Sequence, residues 1–237
     1  MKLAIAVAFA AAALANVDAF AQNYPNRTIR IVVLCVKGAN VLSVHPALPV
    51  KSVKELLALA RAQPGKLNFA SSGLGSSNQM AGELLKFMAR INIVHVPYKG
   101  NAPALTDTVG GHVEMLFSGV PALLPLLQSG RLRAIAIGSL KRFPALPAVP
   151  TFDESGFKDY EATTWFGVMA PVKTSREIVT RLNFEIGRVL NSAEVHQRFV
   201  NEGVEPMGGA PEQFGAFIRD EIDKYAKVVK AANLTAE

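Results

Sequence analysis

Hydrophobic and polar positions along the chain follow two different periods, and each period predicts a different element. Two β-branched runs, at residues 29–34 and 41–44, predict two buried strands with no helix between them. From Lys66 onward, short apolar runs alternate with segments of about ten residues in which apolar positions recur at helical spacing. This alternation is typical of βαβ units and predicts an α/β fold with parallel-rich sheets.

The individual elements follow from the same pattern and from helix start and stop signals. One helix begins after Ser52, one follows the capping box at 174–177, and the last begins at Pro211. Apolar stripes on the last two long helices predict burial of Leu182, Val189 and Ile222. The remaining predicted strands are 66–70, 93–96, 113–117, 132–137 and 164–171, and the remaining predicted helices are 77–89, 102–109, 121–128 and 193–201.

One stretch joins a predicted strand to a predicted helix through a loop of glycine and serine at 71–77. The first N–H groups of a helix lack intrahelical partners and lie at the positive end of the macrodipole. Such a loop can therefore hold a carboxylate or a phosphate. A tight turn at Gly73 and Gly75, with Ser76 or Ser77 as a simple helix cap, explains the same residues equally well.

The first residues have the features of a secretory signal peptide. Met1-Lys2 is a short positive start, residues 3–14 form an apolar core too short to span a bilayer, and 19–21 form an A-x-A cleavage site. We predict cleavage after Ala21. No later stretch is long and apolar enough for membrane insertion, so the mature protein is expected to be soluble in an exported compartment.

The formal net charge of +6 is compatible with nucleic acid, a membrane surface or small acidic ligands. Lysine and arginine occur in ones and twos, without a basic run or interleaved aromatic residues, which argues against a nucleic-acid surface. Small anions remain as ligands. Cys35 is the only cysteine, so no intramolecular disulfide can form, and we predict that it is a small buried residue at a strand end.

Residue patterns that support catalysis or cofactor binding are missing from the sequence. The loop lacks both G-x-S-x-G and the Gly-Lys-Ser/Thr of a P-loop, and Gly73-x-Gly75-x-x-Asn78 is a broken dinucleotide fingerprint. The histidines lack metal-ligand spacing and are predicted to be surface or hydrogen-bonded residues; they are His45, His95, His112 and His196. We therefore predict no enzyme activity, no cofactor and no metal, with a hydrolase using Ser76 as a minor alternative.

Four segments resemble the Bug/TctC family of periplasmic solute receptors. They are V-H-P-A-L-P-V-K-S at 44–52, F-A-S-S-G-L-G-S-S at 69–77, I-V-H-V-P-Y-K-G at 93–100 and W-F-G at 165–167. The resemblance covers nearly all of residues 24–232. It implies a type II periplasmic-binding-protein-like fold, in which two lobes close on a small carboxylate ligand. It also implies transient contact with the membrane subunits of a tripartite tricarboxylate transporter.

In that family, one ligand carboxylate is held by a Ser/Gly loop of the second lobe and another by a Pro/Gly-rich loop after the first strand. The Pro/Gly-rich loop has no counterpart here, because the chain passes from Leu34 almost directly to Val41. Asn78 and Gln79 stand where the family commonly has histidine. The resemblance implies ligand-binding roles, without a metal, for Ser71, Ser72, Gly73, Gly75, Ser76, Ser77, Asn78 and Tyr98.

The first lobe is therefore expected to be incomplete. We assign 1–21 to a signal peptide, 22–43 with 161–237 to the truncated first lobe, and 44–160 to a nearly intact second lobe. Loss of a block should expose the apolar surface that the block covered. Two functions stay open: a receptor for a small carboxylate, and a truncated relative that binds no solute and acts, if at all, as an interaction protein.

Overall fold

The computed structural model describes residues 29–234, so the predicted signal peptide lies outside the described residues. Strand and helix alternate from β2 to β5, as the sequence predicts. The strands are β1 Ile29–Val44, β2 Asn68–Ser71, β3 Val94–Pro97, β4 Met115–Gly119, β5 Arg133–Ile137, β6 Thr163–Pro171 and β7 Val204–Pro206. The helices are α1 Val53–Ala62, α2 Ser77–Ala89, α3 Asn101–Val109, α4 Val120–Gln128, α5 Arg176–Leu190, α6 Ala193–Asn201 and α7 Pro211–Ala231.

Two sheets share the long strand β1. Its residues 29–39 pair antiparallel with β6, and residues 36–38 also pair with β7; we call this group the first sheet. Residues 40–44 lie between β4 and β5, antiparallel to both, in a second sheet with the order β3-β2-β4-β1-β5. Among the described strands, parallel pairing joins β2 to β3 and to β4. The predicted α/β class is confirmed, and the first sheet is antiparallel.

The prediction of two separate strands at 29–34 and 41–44 is wrong, because β1 continues through the residues between them. Those residues include no proline, and the ladder with β6 continues through them as far as Ala39. At Asn40 the strand changes partners and enters the second sheet. Cys35 therefore lies inside a strand and not at its end; it is half-buried, and burial raises the pKa of its thiol.

Most buried apolar side chains belong to the two faces of the second sheet. Because successive strand residues point to opposite faces, Phe69 and Phe117 join one cluster, while Ala70 and Leu116 join the other. Helices α1 and α2 cover the first of these faces, and α3 and α4 cover the second. The second sheet is thus a packed layer between two pairs of helices, as expected for the lobe predicted to be nearly intact.

The first sheet is less completely covered. Its small buried cluster is built from Val32, Val33, Ala170 and Val179. The predicted burial of Leu182, Val189 and Ile222 is wrong: their side chains are 38%, 52% and 61% exposed. Helical periodicity identifies the apolar stripe correctly, but the described elements cover these positions only in part. Further exposed apolar residues lie on β6 and α5, namely Phe166, Val168, Met169, Ile178 and Phe184.

Candidate functional site

The predicted Ser/Gly loop forms the turn between β2 and α2. Strand β2 ends at Ser71 and α2 begins at Ser77, with Ser76 as the N-cap. The Ser76 hydroxyl accepts a hydrogen bond from Gln79 N–H at 3.3 Å and donates to the Gly73 carbonyl at 2.7 Å. The loop therefore does have the capped turn that the sequence allows, and the cap directs the helix N-terminus toward the carboxyl end of β2.

Both loop glycines have backbone conformations that other residues avoid. Gly73 has φ of 134° and Gly75 has φ of 71°, both in the region that favours glycine. A Cβ at Gly73 would lie 3.1 Å from the Tyr98 carbonyl oxygen, whereas one at Gly75 would meet no described atom within 4 Å. Gly75 thus leaves open space beside its backbone, where a ligand has room to approach.

Ser71 is buried and lies behind the loop, where its hydroxyl is fully engaged. Its Oγ lies 2.6 Å from His95 Nε2, accepts from Gly73 N–H at 3.1 Å and donates to the Gly73 carbonyl at 3.1 Å. The parallel pairing of β2 with β3 places Phe69 opposite His95 and so positions the imidazole. Ser71 supports the loop from behind, and its histidine partner could not be predicted from the sequence.

Asn78 and Gln79, at the start of α2, are also buried and engaged within the protein. Asn78 Nδ2 donates to the Phe117 carbonyl at 2.5 Å, and Gly75 N–H donates to Gln79 Oε1 at 2.7 Å. The Gln79 amide therefore ties the tip of the loop to the helix that follows it. These contacts fix the path of the backbone and leave the N–H groups of Ser77 and Asn78 at a helix N-terminus without intrahelical partners.

Ser77 connects the loop to the first sheet. Its hydroxyl lies 2.7 Å from the hydroxyl of Thr164 on β6. Thr164 is 87 residues away in the chain, and the sequence did not indicate this contact. The loop consequently contacts β6 of the first sheet, so a ligand held beside Ser77 would lie next to that strand.

Tyr98 contributes to this region through its backbone. Its N–H donates to the Ser71 carbonyl at 3.1 Å, while its hydroxyl donates to Asp107 Oδ2 at 2.8 Å. Partial burial, followed by the hydrogen bond and negative charge of Asp107, raises the pKa of Tyr98 to about 12. Its hydroxyl is thus a neutral group held by Asp107. Of the predicted residues, Ser72 is the one whose side chain has no hydrogen bond to another described residue.

His95 gives the loop a pH dependence. Burial, and to a smaller extent the charge of Lys86, lowers the pKa of His95 from 6.5 to about 4. Because the folded protein favours the neutral imidazole, its contribution to the free energy of unfolding is complete above pH 6.5 and falls as the pH decreases toward 4.

We expect His95→Gln to lose this part of the pH dependence. Urea unfolding at about pH 7 and about pH 4.5, on either side of the His reference value, measures it. His112→Gln, at an exposed histidine, is the control. It keeps His95 and all the carboxylates that titrate in the same pH range, so the difference between the two variants reports His95 alone. An equal pH dependence in His95→Gln and His112→Gln would contradict the assignment.

Two general features of residues 29–234 bear on function. Among these residues, no group of three or more His, Cys, Asp or Glu side chains is arranged to hold a metal ion. No helix within this range is long and apolar enough to cross a membrane. The loop at 71–77 joins the end of a strand to a helix N-terminus, a position at which anions commonly bind.

Residues 6–234 match the sequence model of the tripartite tricarboxylate transporter family receptor, TctC. Protein BugT of Bordetella pertussis is 40% identical over 190 residues, which are 80% of this chain and 58% of BugT. The protein of the tcbD-tcbE intergenic region of Pseudomonas sp. (strain P51) is 38% identical over 206 residues, 86% of this chain and 61% of that protein. The chain belongs to the TctC family of receptors.

Solved structures agree with this assignment. Rpa4515 of R. palustris, determined with adipate, has a TM-score of 0.79 and 38% identity, over 88% of this chain and 70% of that one. MatC (Rpa3494) of Rhodopseudomonas palustris, with bound malate, has a TM-score of 0.76 and 27% identity, over 88% of this chain and 72% of that one. The chain spans about 60% of the length of the two curated relatives. Strand β1 runs from Ile29 to Val44 without interruption in this chain.

Proposed function

We propose that this chain is a periplasmic solute receptor that binds a small carboxylate and delivers it to the membrane subunits of a tripartite tricarboxylate-type transporter. Membership of the TctC family and the carboxylates bound by two structural relatives support this function. The proposed binding residues are the loop positions 71–78 together with Tyr98 through its backbone. The proposed lobes are 22–43 with 161–237, and 44–160.

The observation that carries the proposal is the N-terminus of α2 facing β6 across the Ser77–Thr164 contact. At this point the unpaired N–H groups of the first helical turn lie at the positive end of the macrodipole, and Ser72 precedes them in the same loop. A carboxylate placed here accepts hydrogen bonds from neutral donors and needs no cation. The neutral donors of this loop therefore suit carboxylates, the class of ligand bound by two structural relatives.

Two substitutions test the loop. Ser72→Ala removes one hydroxyl donor and should weaken carboxylate binding by about 0.5–3 kcal/mol. Gly75→Val places a β-branched residue at φ of 71° and fills the open space beside the backbone, so binding should be abolished. Calorimetric titration with adipate and malate measures both effects. Ser129→Ala, at the far end of α4, is the matched control, and unchanged affinity in both loop variants would place the site elsewhere.

The exposed apolar surface of β6 and α5 favours a second function, that of an interaction protein without solute. Exposed apolar patches with an unpaired strand edge commonly bind other chains. Sedimentation at several concentrations, with and without the carboxylate, separates the two functions. A monomer that binds adipate supports the receptor, whereas an assembly that binds neither adipate nor malate supports the interaction protein.

The periplasmic location rests on the predicted signal peptide and on the family. Export and cleavage after Ala21 would give a mature protein that begins at Gln22. The intact mass of the exported protein measures this directly. A cytoplasmic species that retains residues 1–21 would contradict it.

A further inference from the structure

A cavity of about 410 Å³ lies where the two sheets meet, and its lining residues lie outside the 71–78 loop. This volume falls within the usual range for small-molecule sites. Strand β1 contributes Lys37 and Ala39, and β6 contributes Thr163. Thr163 is 7% exposed, and its hydroxyl has no hydrogen-bond partner among residues 29–234. Thr163 thus places a buried hydroxyl without a described partner beside the cavity.

Apolar side chains lie on two sides of the cavity, which is partly open to solvent. The segment that follows β5 supplies Leu140 and Phe143, and the α6–β7 unit supplies Val200 and Val204. The segment that follows β5 continues from the second sheet, while β7 pairs with the first sheet. A ligand body in this cavity would therefore be apolar and would contact both sheets at once.

The β1 side of the cavity carries an excess of negative charge. Lys37 Nζ lies 2.6 Å from Glu161 Oε1 and 4.9 Å from the centre of the Phe217 ring, so its charge is already paired. Glu205 lies directly opposite Lys37 in the antiparallel pair of β1 and β7, which brings both side chains to the same face. Two carboxylates therefore accompany one ammonium group on this side.

The segment that follows β5, which forms the other side of the cavity, carries an excess of positive charge. Arg142 Nε donates to both carboxylate oxygens of Glu154, at 3.0 and 2.9 Å, so this guanidinium is paired. Lys141 is exposed, lines the cavity and makes no ion pair with any residue in 29–234. The cavity is thus dipolar, with a carboxylate at Glu205 and an ammonium group at Lys141 that make no ion pair among residues 29–234.

We propose that this cavity is a second ligand site, for a zwitterionic amino acid with an apolar side chain. The ammonium group of the ligand is attracted to the Glu205 side, its carboxylate to Lys141, and its side chain contacts Phe143 and Val200. A monocarboxylate leaves the Glu205 side without a counter-charge, and an amine leaves Lys141 without one. The zwitterion is the class that matches both ends of the cavity.

Three probes that share a phenylethyl skeleton and differ in their charged groups test the charge requirement on the full mature chain: L-phenylalanine, 3-phenylpropionate and phenethylamine. Calorimetry should show binding of L-phenylalanine and at least tenfold weaker binding of the two analogues. Lys141→Gln and Glu205→Gln should each weaken L-phenylalanine binding by roughly three- to tenfold, since both are exposed charges. Lys158→Gln, which removes an exposed lysine paired with Asp153, is the matched control and should leave it unchanged.

The Ser72→Ala variant and saturating adipate separate this site from the carboxylate loop. L-phenylalanine binding that persists under both conditions supports a separate site, whether or not adipate itself binds. Equal affinity for the three probes, absence of L-phenylalanine binding, or its loss in Ser72→Ala would each overturn the proposal. Circular dichroism of the glutamine variants confirms that they are folded before titration.

Discussion

Adipate titrated into this chain is expected to bind several orders of magnitude more weakly than it binds to a full-length receptor of the same family. The reason lies in β1, which runs from Ile29 to Val44 without a loop. The family's second carboxylate-binding loop would have to follow the first half of this strand. A hydrogen bond to a charged carboxylate contributes about 1.5–3 kcal/mol, so two or three missing bonds account for a loss of this size.

The incomplete first sheet should weaken binding further. Exposed Leu182 and Val189 show that the helix packed on the first sheet has an uncovered apolar side. We expect a less completely covered first lobe to leave a ligand more open to water, which screens the contacts between the loop and a charged ligand. The 71–78 loop alone is then expected to supply nearly all of the affinity.

Parallel calorimetric titrations of adipate into this chain and into Rpa4515 of R. palustris measure the difference. Ser72→Ala in this chain shows whether the residual affinity comes from the loop. A submicromolar dissociation constant for this chain would contradict the prediction. It would mean that the residues at 36–40, or another chain, replace the missing loop.

The sequence was most informative where local pattern and packing coincide. The helix 77–89 was predicted with the bounds that the structure shows, because its cap, its apolar stripe and its packing on β2 all agree. The strand β7 was missed, since three residues carry too short a pattern to be recognised. The two predicted strands at 29–34 and 41–44 merged because tertiary pairing with β6 continues through residues that have weaker strand preference.

The loop was located from sequence, but its internal contacts were not. The bond between Ser71 and His95 depends on the register of β2 against β3, and the contact between Ser77 and Thr164 depends on how the sheets are joined. No local pattern encodes either relation. Seven of the eight predicted residues lie together in this loop and the adjoining helix turn, whereas the Tyr98 side chain is directed to Asp107.

The errors at Leu182, Val189 and Ile222 have a different origin. Their spacing is that of buried positions, and the periodicity is real. Burial, however, requires a partner element, and the chain spans only about 60% of the length of its curated relatives. An apolar stripe therefore indicates a helix surface that is suited to packing, whether or not this chain contains the element that covers it.

Gly82→Ala is expected to destabilise the protein by about 1–3 kcal/mol or more, although alanine is the better helix former. A Cβ at Gly82 would lie 2.2 Å from Cε2 and 2.5 Å from Cζ of Phe69, a fully buried ring. Phe69 in turn packs against Phe117 and His95, with ring centroids 6.1 and 5.0 Å away. The ring cannot move aside freely, so α2 must shift away from β2.

Gly187→Ala is the matched control, because Gly187 also lies inside a helix, α5, and its added methyl would meet no described atom within 4 Å. This substitution should stabilise the protein by roughly 0.5–1 kcal/mol, the ordinary advantage of alanine over glycine in a helix. Urea unfolding measures both changes. Since the shift of α2 also displaces Ser76 and Ser77, Gly82→Ala should reduce adipate affinity while Gly187→Ala leaves it unchanged. Equal stability of the two variants would show that the packing of α2 on Phe69 does not fix the position of the loop.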